Sequence, residues 1–201
     1  SILSEKYVNI PELKSDGVVF ARPGFNIIAT ANSRDRGVND LSTALKRRVN
    51  FVTITTGTNK KTEKEIVLFR TQELLARNAF QVDLPPALLD ILLQTFSDLR
   101  DAQGAATSDD ARLESSLSTA EQIGVLEDAV LHSQFFGNAA LQSEQLASSL
   151  IGTLVRRVPE DVAVMNKVWH SVIQKRGEQS KDKGPWEDFV KGGKKTLETF
   201  K

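Results

Sequence analysis

The spacing of hydrophobic residues changes near residue 56, and this change divides the chain into two parts of different predicted structure. Before it, a short apolar run at 25–31 and an alternating run at 49–54 predict β-strands, because successive strand side chains point to opposite faces. After it, apolar residues recur every three to four positions, as in an amphipathic helix. The predicted fold class is therefore α/β plus all-α, and predominantly helical.

The first part is predicted to be the end of a larger α/β domain. Two apolar runs flank a polar turn within 7–20 and predict a β-hairpin. The run 25–31 is typical of a strand buried on both faces of a parallel sheet, and a short helix is predicted over 40–48. A sheet this small cannot cover its own faces, so we expect the rest of that domain to lie outside this chain.

The second part is predicted to contain five helices separated by polar stretches. The third of them begins with Ser118 and Glu121, which have the spacing of a capping box. The tail from Arg176 is rich in Lys, Gly and Glu, and we expect it to fold only against a partner. The predicted helices are 60–78, 85–102, one from 118 onward, 142–157 and 159–175, with a loop at 103–114.

Composition limits the classes of function. Lysine and arginine total 26 and so do aspartate and glutamate, so no overall field attracts nucleic acid or an anionic membrane. The absence of cysteine excludes disulfides and thiolate zinc sites. His132 and His170 lie far apart without a carboxylate pattern, so no metal site is expected. No apolar run approaches the roughly 18–20 residues that span a bilayer, and we expect a cytoplasmic protein.

Two groups of polar side chains carry candidate chemistry. Asn32 follows the predicted buried strand directly, and ligands of open α/β sheets bind at the carboxyl ends of strands. The alternative for Asn32 is a cap on the following loop. Arg47 and Arg48 end the next predicted helix, and a guanidinium group is suited to binding phosphate. Their alternative role is a favourable interaction with the helix dipole in solvent.

The two groups stand in motifs that resemble a known family. The strand and its end read FNIIATAN (25–32), and the helix reads LSTALKRRV (41–49). They resemble the sensor 1 strand and the arginine-finger helix of AAA+ ATPases of the MoxR and dynein-related group, where ATxN is followed by LSxALxxRF. The resemblance implies that Asn32 is sensor 1, that Arg48 is the arginine finger and that Arg47 is a secondary candidate. Val49 departs from the family's phenylalanine.

The resemblance also implies a domain organisation. It predicts the end of a P-loop NTPase αβα core over 1–56 and, in architecture only, a helical lid over 57–157. The C-terminal helix and tail over 158–201 are predicted from the sequence pattern and resemble no part of the family. The sensor 2 arginine of the lid aligns with Ala120, which puts a contribution from the lid to phosphate binding in doubt. Arg112, in the preceding loop, is a weak substitute.

Neither the phosphate loop nor the acidic pair for magnesium occurs in this sequence. The main ligands of ATP and Mg²⁺ are therefore expected outside this chain, and the chain alone is not expected to hydrolyse ATP. The start of the chain, 1–5, resembles the helix that follows the second of these motifs.

The resemblance implies a function for the intact protein. It would be a hexameric ring that couples ATP hydrolysis to remodelling or maturation of a partner protein. Members of this group often act with a von Willebrand factor A domain protein, so the resemblance implies a partner of that kind. The alternative is a non-catalytic helical scaffold or adaptor. A phosphate loop upstream of Ser1 would favour the ATPase.

Overall fold

The computed structural model describes residues 4–12, 17–30, 42–53, 59–107, 112–113, 115–155 and 159–200. The chain forms two compact units, Ser1–Thr55 and Thr56–Lys201. Each unit is described by itself below.

The first unit contains the predicted hairpin. Strands β1 (Tyr7–Asn9) and β2 (Val18–Phe20) pair antiparallel, with Tyr7 opposite Phe20. The rings of these two residues lie 5.8 Å apart, a cross-strand aromatic pair of the kind that stabilises a short hairpin. The hairpin prediction is confirmed, while its turn at 13–16 lies outside the described residues.

The αβα core is not shown by the structure. Residues 25–30 and 49–53 form no strand, and Ile28 is 94% exposed. A strand of a parallel sheet needs hydrogen-bonded neighbours, and within the described residues β1 and β2 pair only with each other. The predicted helix 40–48 is represented by α1 (Thr43–Lys46) alone. The remaining positions of these predicted elements, 31, 40, 41 and 54, lie outside the described residues.

The second unit is helical, as predicted. The first of its helices has the predicted bounds, and the asparagine before it caps it by accepting bonds from two backbone N–H groups. In order, the helices are α2 (Lys60–Asn78), α3 (Pro86–Ala105), α4 (Thr119–Phe136), α5 (Ser143–Leu154), α6 (Pro159–Val168), a π-helical segment (Trp169–Ile173), α7 (Gln174–Gln179) and α8 (Lys183–Glu198).

The core of the second unit is continuous from α2 to α8. Its largest fully buried side chains include Phe96 of α3, Trp169 of the π-helical segment and Phe189 of α8. Two loops are joined by a parallel bridge between Asp83 and Ala140. The N–H of Asp83 donates to the carbonyl of Ala139, and the carbonyl of Asp83 accepts from the N–H of Leu141. The helices of the predicted lid (57–157) and the C-terminal helices thus share one hydrophobic core.

The expectation that the tail folds only against a partner is wrong for the described residues. Helix α8 packs along α5 of the same chain, and its buried residues include Trp186 and Phe189. The indole N–H of Trp169 donates to the carbonyl of Val190 at 3.2 Å. These contacts, made to distant parts of the sequence, stabilise a helix whose own composition is weakly hydrophobic.

Candidate functional site

Arg47 and Arg48 lie together in solvent at the end of α1. The helix is short and begins at Ser42, whose hydroxyl accepts from the backbone N–H of Leu45 at 3.2 Å. The Nη1 of Arg48 donates to the carbonyl of Ala44 at 3.2 Å, and neither arginine meets a carboxylate among the described residues. Both guanidinium groups therefore keep an exposed positive charge that an external anion can approach.

Asn32 lies outside the described residues, as do 34–37 of the loop that follows it. The structure therefore brings together Arg47 and Arg48 but gives no distance between them and Asn32. The sensor 1 role of Asn32 stays a prediction.

The start of α4, where the resemblance aligns the family's sensor 2 arginine with Ala120, is capped internally. The capping box is formed: the hydroxyl of Ser118 accepts from the N–H of Glu121 at 3.3 Å, and the N–H of Ser118 donates to Glu121 Oε2 at 2.7 Å. The hydroxyls of Ser115 and Ser116 each donate to the same carboxylate at 2.8 Å. Partial burial alone would raise the pKa of Glu121, but these hydrogen bonds outweigh it and hold the pKa below its ordinary value.

Ala120 is exposed in this first turn, directly before the ionised Glu121. A methyl group cannot bind phosphate, and a carboxylate repels it. Arg112, the possible substitute, donates from Nη2 to the carbonyl of Ala106 at 2.9 Å. The geometry of this end of α4 therefore offers the hydrogen-bonded anion of Glu121 in place of a sensor 2 cation.

A buried ion pair beneath the start of α4 was not predicted from the sequence. Glu63 of α2, 4% exposed, faces Arg100 of α3, whose Nη1 donates to Oε2 at 3.0 Å and whose Nη2 lies 2.9 Å from Oε1. Thr119, the first residue of α4, donates to the same carboxylate at 3.0 Å. The three residues are far apart in sequence, so no local motif signals the cluster.

The described part of the chain holds neither a cluster of metal-ligating side chains nor a membrane-spanning helix. No group of three or more His, Asp or Glu side chains there is arranged to hold a metal ion. No helix among the described residues combines the length and the apolar character needed to cross a membrane.

Comparison with known proteins identifies the helical unit. Residues 61–191 match the family model of the YehL-like AAA+ ATPase C-terminal domain. The chain belongs to this family. The match runs from the beginning of α2 into α8, so the YehL-like domain includes the C-terminal helices and excludes Arg47 and Arg48.

A curated relative of the YehL-like family extends beyond the domain. The chain is 36% identical over 173 residues to the uncharacterized protein YehL of Escherichia coli (strain K12), an alignment that covers 86% of this chain. It covers 48% of that protein, so the chain spans about half the length of this relative. No solved structure matches the chain. The predicted relationship to AAA+ ATPases is thereby confirmed, at the level of the AAA+ C-terminal region.

Proposed function

We propose that the intact protein is a MoxR-like AAA+ ATPase that works as a ring, most simply a hexamer, and uses ATP hydrolysis to remodel or mature a partner protein. The observation that carries this proposal is Arg48, which is exposed just after α1 and meets no carboxylate among the described residues, in a chain whose helical unit belongs to a AAA+ family. We place this activity in the cytoplasm. The partner is a protein, with a von Willebrand factor A domain protein as the candidate, and nucleic acid and membrane have no role.

In the proposed mechanism, Arg48 reaches the nucleotide of the neighbouring subunit. A guanidinium offered in this way stabilises the charge on the transferring phosphoryl group. Arg47 serves as a secondary contact. Asn32 orients the attacking water, since an amide can donate and accept hydrogen bonds at once.

The side chains at the end of α1 fit the phosphates of a nucleotide, whereas those at the start of α4 do not. The exposed guanidinium groups of Arg47 and Arg48 are suited to a phosphate, whereas the ionised Glu121 at the start of α4 is not. ATP supplies the transferred phosphoryl group and Mg²⁺ neutralises its charge, with their main ligands outside this chain. The contribution of this chain is the finger, the sensor and the helical cover.

The test is ATP turnover by the full-length protein and by its Arg48→Ala variant. The expected loss is about a thousandfold or more in kcat if Arg48 is an arginine finger. Arg77→Ala is the matched control, because Arg77 is also an exposed arginine in the last turn of a helix. Turnover that survives Arg48→Ala contradicts the finger assignment.

Mixed rings separate action in trans from action in cis. Arg48→Ala subunits supply an intact nucleotide site, and subunits with the phosphate-loop lysine changed to alanine supply an intact finger. Mixing the two is expected to restore part of the turnover. No restoration would contradict a role between subunits.

The alternative function is a non-catalytic scaffold for protein–protein interaction. The observation that favours it is Ala120 at the sensor 2 position, with Glu121 beside it. A full-length protein that binds its partner but turns over no ATP, with or without that partner, would establish the scaffold.

A further inference from the structure

Arg100 joins α2, α3 and the turn before α4 through one guanidinium. Its Nε donates to the carbonyl of Leu117 at 2.7 Å, and its other two nitrogens face both carboxylate oxygens of Glu63. Glu63 belongs to α2, Arg100 to α3, and Leu117 lies just before α4. Only Nη1 is hydrogen-bonded to Glu63, and Nη2 lies 2.9 Å from Oε1 without hydrogen-bond geometry. The hydrogen bonds from Nε and Nη1 go to two different segments, so the planar guanidinium restricts the orientation of those segments as well as their distance.

Thr119 extends this contact into α4 itself. Its hydroxyl donates to Glu63 Oε1 at 3.0 Å, so the carboxylate of α2 binds both Arg100 and the first residue of α4. We call Glu63, Arg100 and Thr119 the α2–α4 clamp. Glu63 is almost entirely buried and Arg100 is 23% exposed, so water competes little with these bonds.

The chain enters α4 through a strained residue that the clamp holds. Leu117 is fully buried and has a φ of 51°, a left-handed conformation that leucine rarely adopts. Such residues persist where the surroundings over-determine them, and they concentrate at functional sites. Here the carbonyl of Leu117 is the atom that accepts from Arg100. The left-handed Leu117 and the α2–α4 clamp therefore both lie in the turn that leads into the first residues of α4, where Ala120 is found.

A buried ion pair is weak evidence for stability, because apolar residues of similar volume often serve as well. What a buried ion pair can contribute instead is one specific arrangement of the helices it joins. The pair at Glu63 and Arg100 fixes the start of α4 relative to α2, the helix that follows the boundary between the two units.

We propose that Arg100 is a positioning residue for nucleotide binding: with Glu63 and Thr119 it locks the first turn of α4 to α2, so that position 120 and α2 move as one body when the helical unit closes over ATP. This inference rests on the proposed ATPase function. It assigns to the clamp a mechanical role in a lid that lacks a sensor 2 arginine.

The test uses Thr119→Val in the full-length protein, because valine keeps the shape of threonine and removes only the hydroxyl bond to Glu63. The expected result is a KM for ATP raised about fivefold to tenfold with little change in kcat, the effect of one lost charge-assisted hydrogen bond. Thr119→Ser keeps a hydroxyl and is expected to restore the KM. Arg100→Lys keeps the charge without the fork and is expected to raise the KM as well.

Asp90→Asn is the matched control. The exposed ion pair of Asp90 with Lys64 also joins α2 to α3, but it does not touch α4. Its loss is expected to leave the KM unchanged. A KM that is unaltered in Thr119→Val, or equally raised in Thr119→Ser, would overturn the proposal.

A second measurement separates the clamp from the ATPase function. Amide hydrogen exchange at the first turn of α4, in full-length protein without nucleotide, is expected to be about fivefold to tenfold faster in Thr119→Val than in Asp90→Asn. If the wild type turns over no ATP but this difference is found, the ATPase proposal fails and the clamp stands. Equal exchange in the two variants refutes the clamp whatever the ATPase activity.

Discussion

Arg176 of α7 holds the buried carboxylate of Asp98 in α3 by two hydrogen bonds, from Nε to Oδ2 at 2.7 Å and from Nη2 to Oδ1 at 2.8 Å. Gln94 donates to Oδ1 at 2.7 Å, so all three bonds converge on a carboxylate that is 4% exposed. The hydrogen bond to Asp98 raises the pKa of Arg176, which keeps the guanidinium charged. The pair attaches the C-terminal helices to the helices of the predicted lid.

Arg176→Ala is expected to lower the free energy of unfolding by about 2 kcal/mol, because it leaves a buried carboxylate with one remaining partner. The value is at the lower end for such a loss, since the Arg176 side chain is 43% exposed and partly screened. Urea denaturation of this chain measures it. Arg70→Ala, which removes an exposed pair with Glu73 inside one helix, is the control and is expected to cost less than about 0.5 kcal/mol. Equal losses in the two variants would contradict the structural role of Asp98.

Helix α8 approaches its neighbours so closely that it requires glycine at two positions, Gly192 beside Glu144 of α5 and Gly193 beside Trp169. A Cβ added to Gly193 would collide with the indole ring of Trp169. Gly193→Ala is therefore expected to destabilise the chain by about 1–3 kcal/mol through overpacking. Gly184 lies in the same helix with nothing near its absent side chain, and Gly184→Ala is expected to stabilise by up to about 1 kcal/mol.

Thermal unfolding of both glycine variants checks that Gly193→Ala lowers the stability and Gly184→Ala raises it. If both alanines stabilise, the helix propensity of alanine outweighs the contact, and α8 does not pack on Trp169 as described.

Local sequence patterns predicted the helices that carry their own signals. The bounds of α2 follow from its apolar period and from Asn59, and the start of α4 follows from Ser118 and Glu121. These signals are local because a cap and a helical period are formed by residues close in sequence. Helix α8 also has apolar residues on one face at helical spacing, but the Lys- and Gly-rich composition of the tail led to the wrong expectation that it needs a partner. It packs against the distant α5 and Trp169 of the same chain.

Of the candidate site, only the residues in local motifs were predicted, because contacts between distant segments leave no local pattern. Arg48 was found because it ends a short motif of fixed spacing, whereas Glu63 and Arg100 were missed because they meet only in the folded chain. The strands predicted over 25–31 and 49–54 depend on neighbouring strands for their backbone hydrogen bonds. A pattern of hydrophobic residues alone could not establish those neighbours.

Glu121 should make the stability of the chain depend on pH. Its pKa in the folded chain lies below the ordinary 4.5, so the folded state binds this proton less readily than the unfolded state. The stabilisation is therefore present above about pH 4.5 and is lost as the pH falls through the folded pKa. Glu121→Gln is expected to cost about 1 kcal/mol at pH 7, an amount limited by the partial exposure of the side chain, and progressively less below pH 4.5.

Urea denaturation of the wild type and Glu121→Gln across this pH range measures the difference. Glu144→Gln is the control, because Glu144 also lies in the first turn of a helix but its side chain makes no hydrogen bond within the described residues. A cost of Glu121→Gln that stays constant with pH would contradict the role of the Ser115, Ser116 and Ser118 donors to the carboxylate.

Ala120→Arg tests whether the start of α4 faces the nucleotide at all. The exposed position 120 can accept a long side chain without displacing a buried neighbour. If the proposed lid closes over ATP, the new guanidinium gains a phosphate and the KM for ATP of the full-length protein falls about threefold to tenfold. Ala120→Gln, which is polar but uncharged, is expected to change the KM much less. A KM that both variants leave unaltered would mean that this turn lies away from the phosphates, and binding would then depend on the α/β part alone.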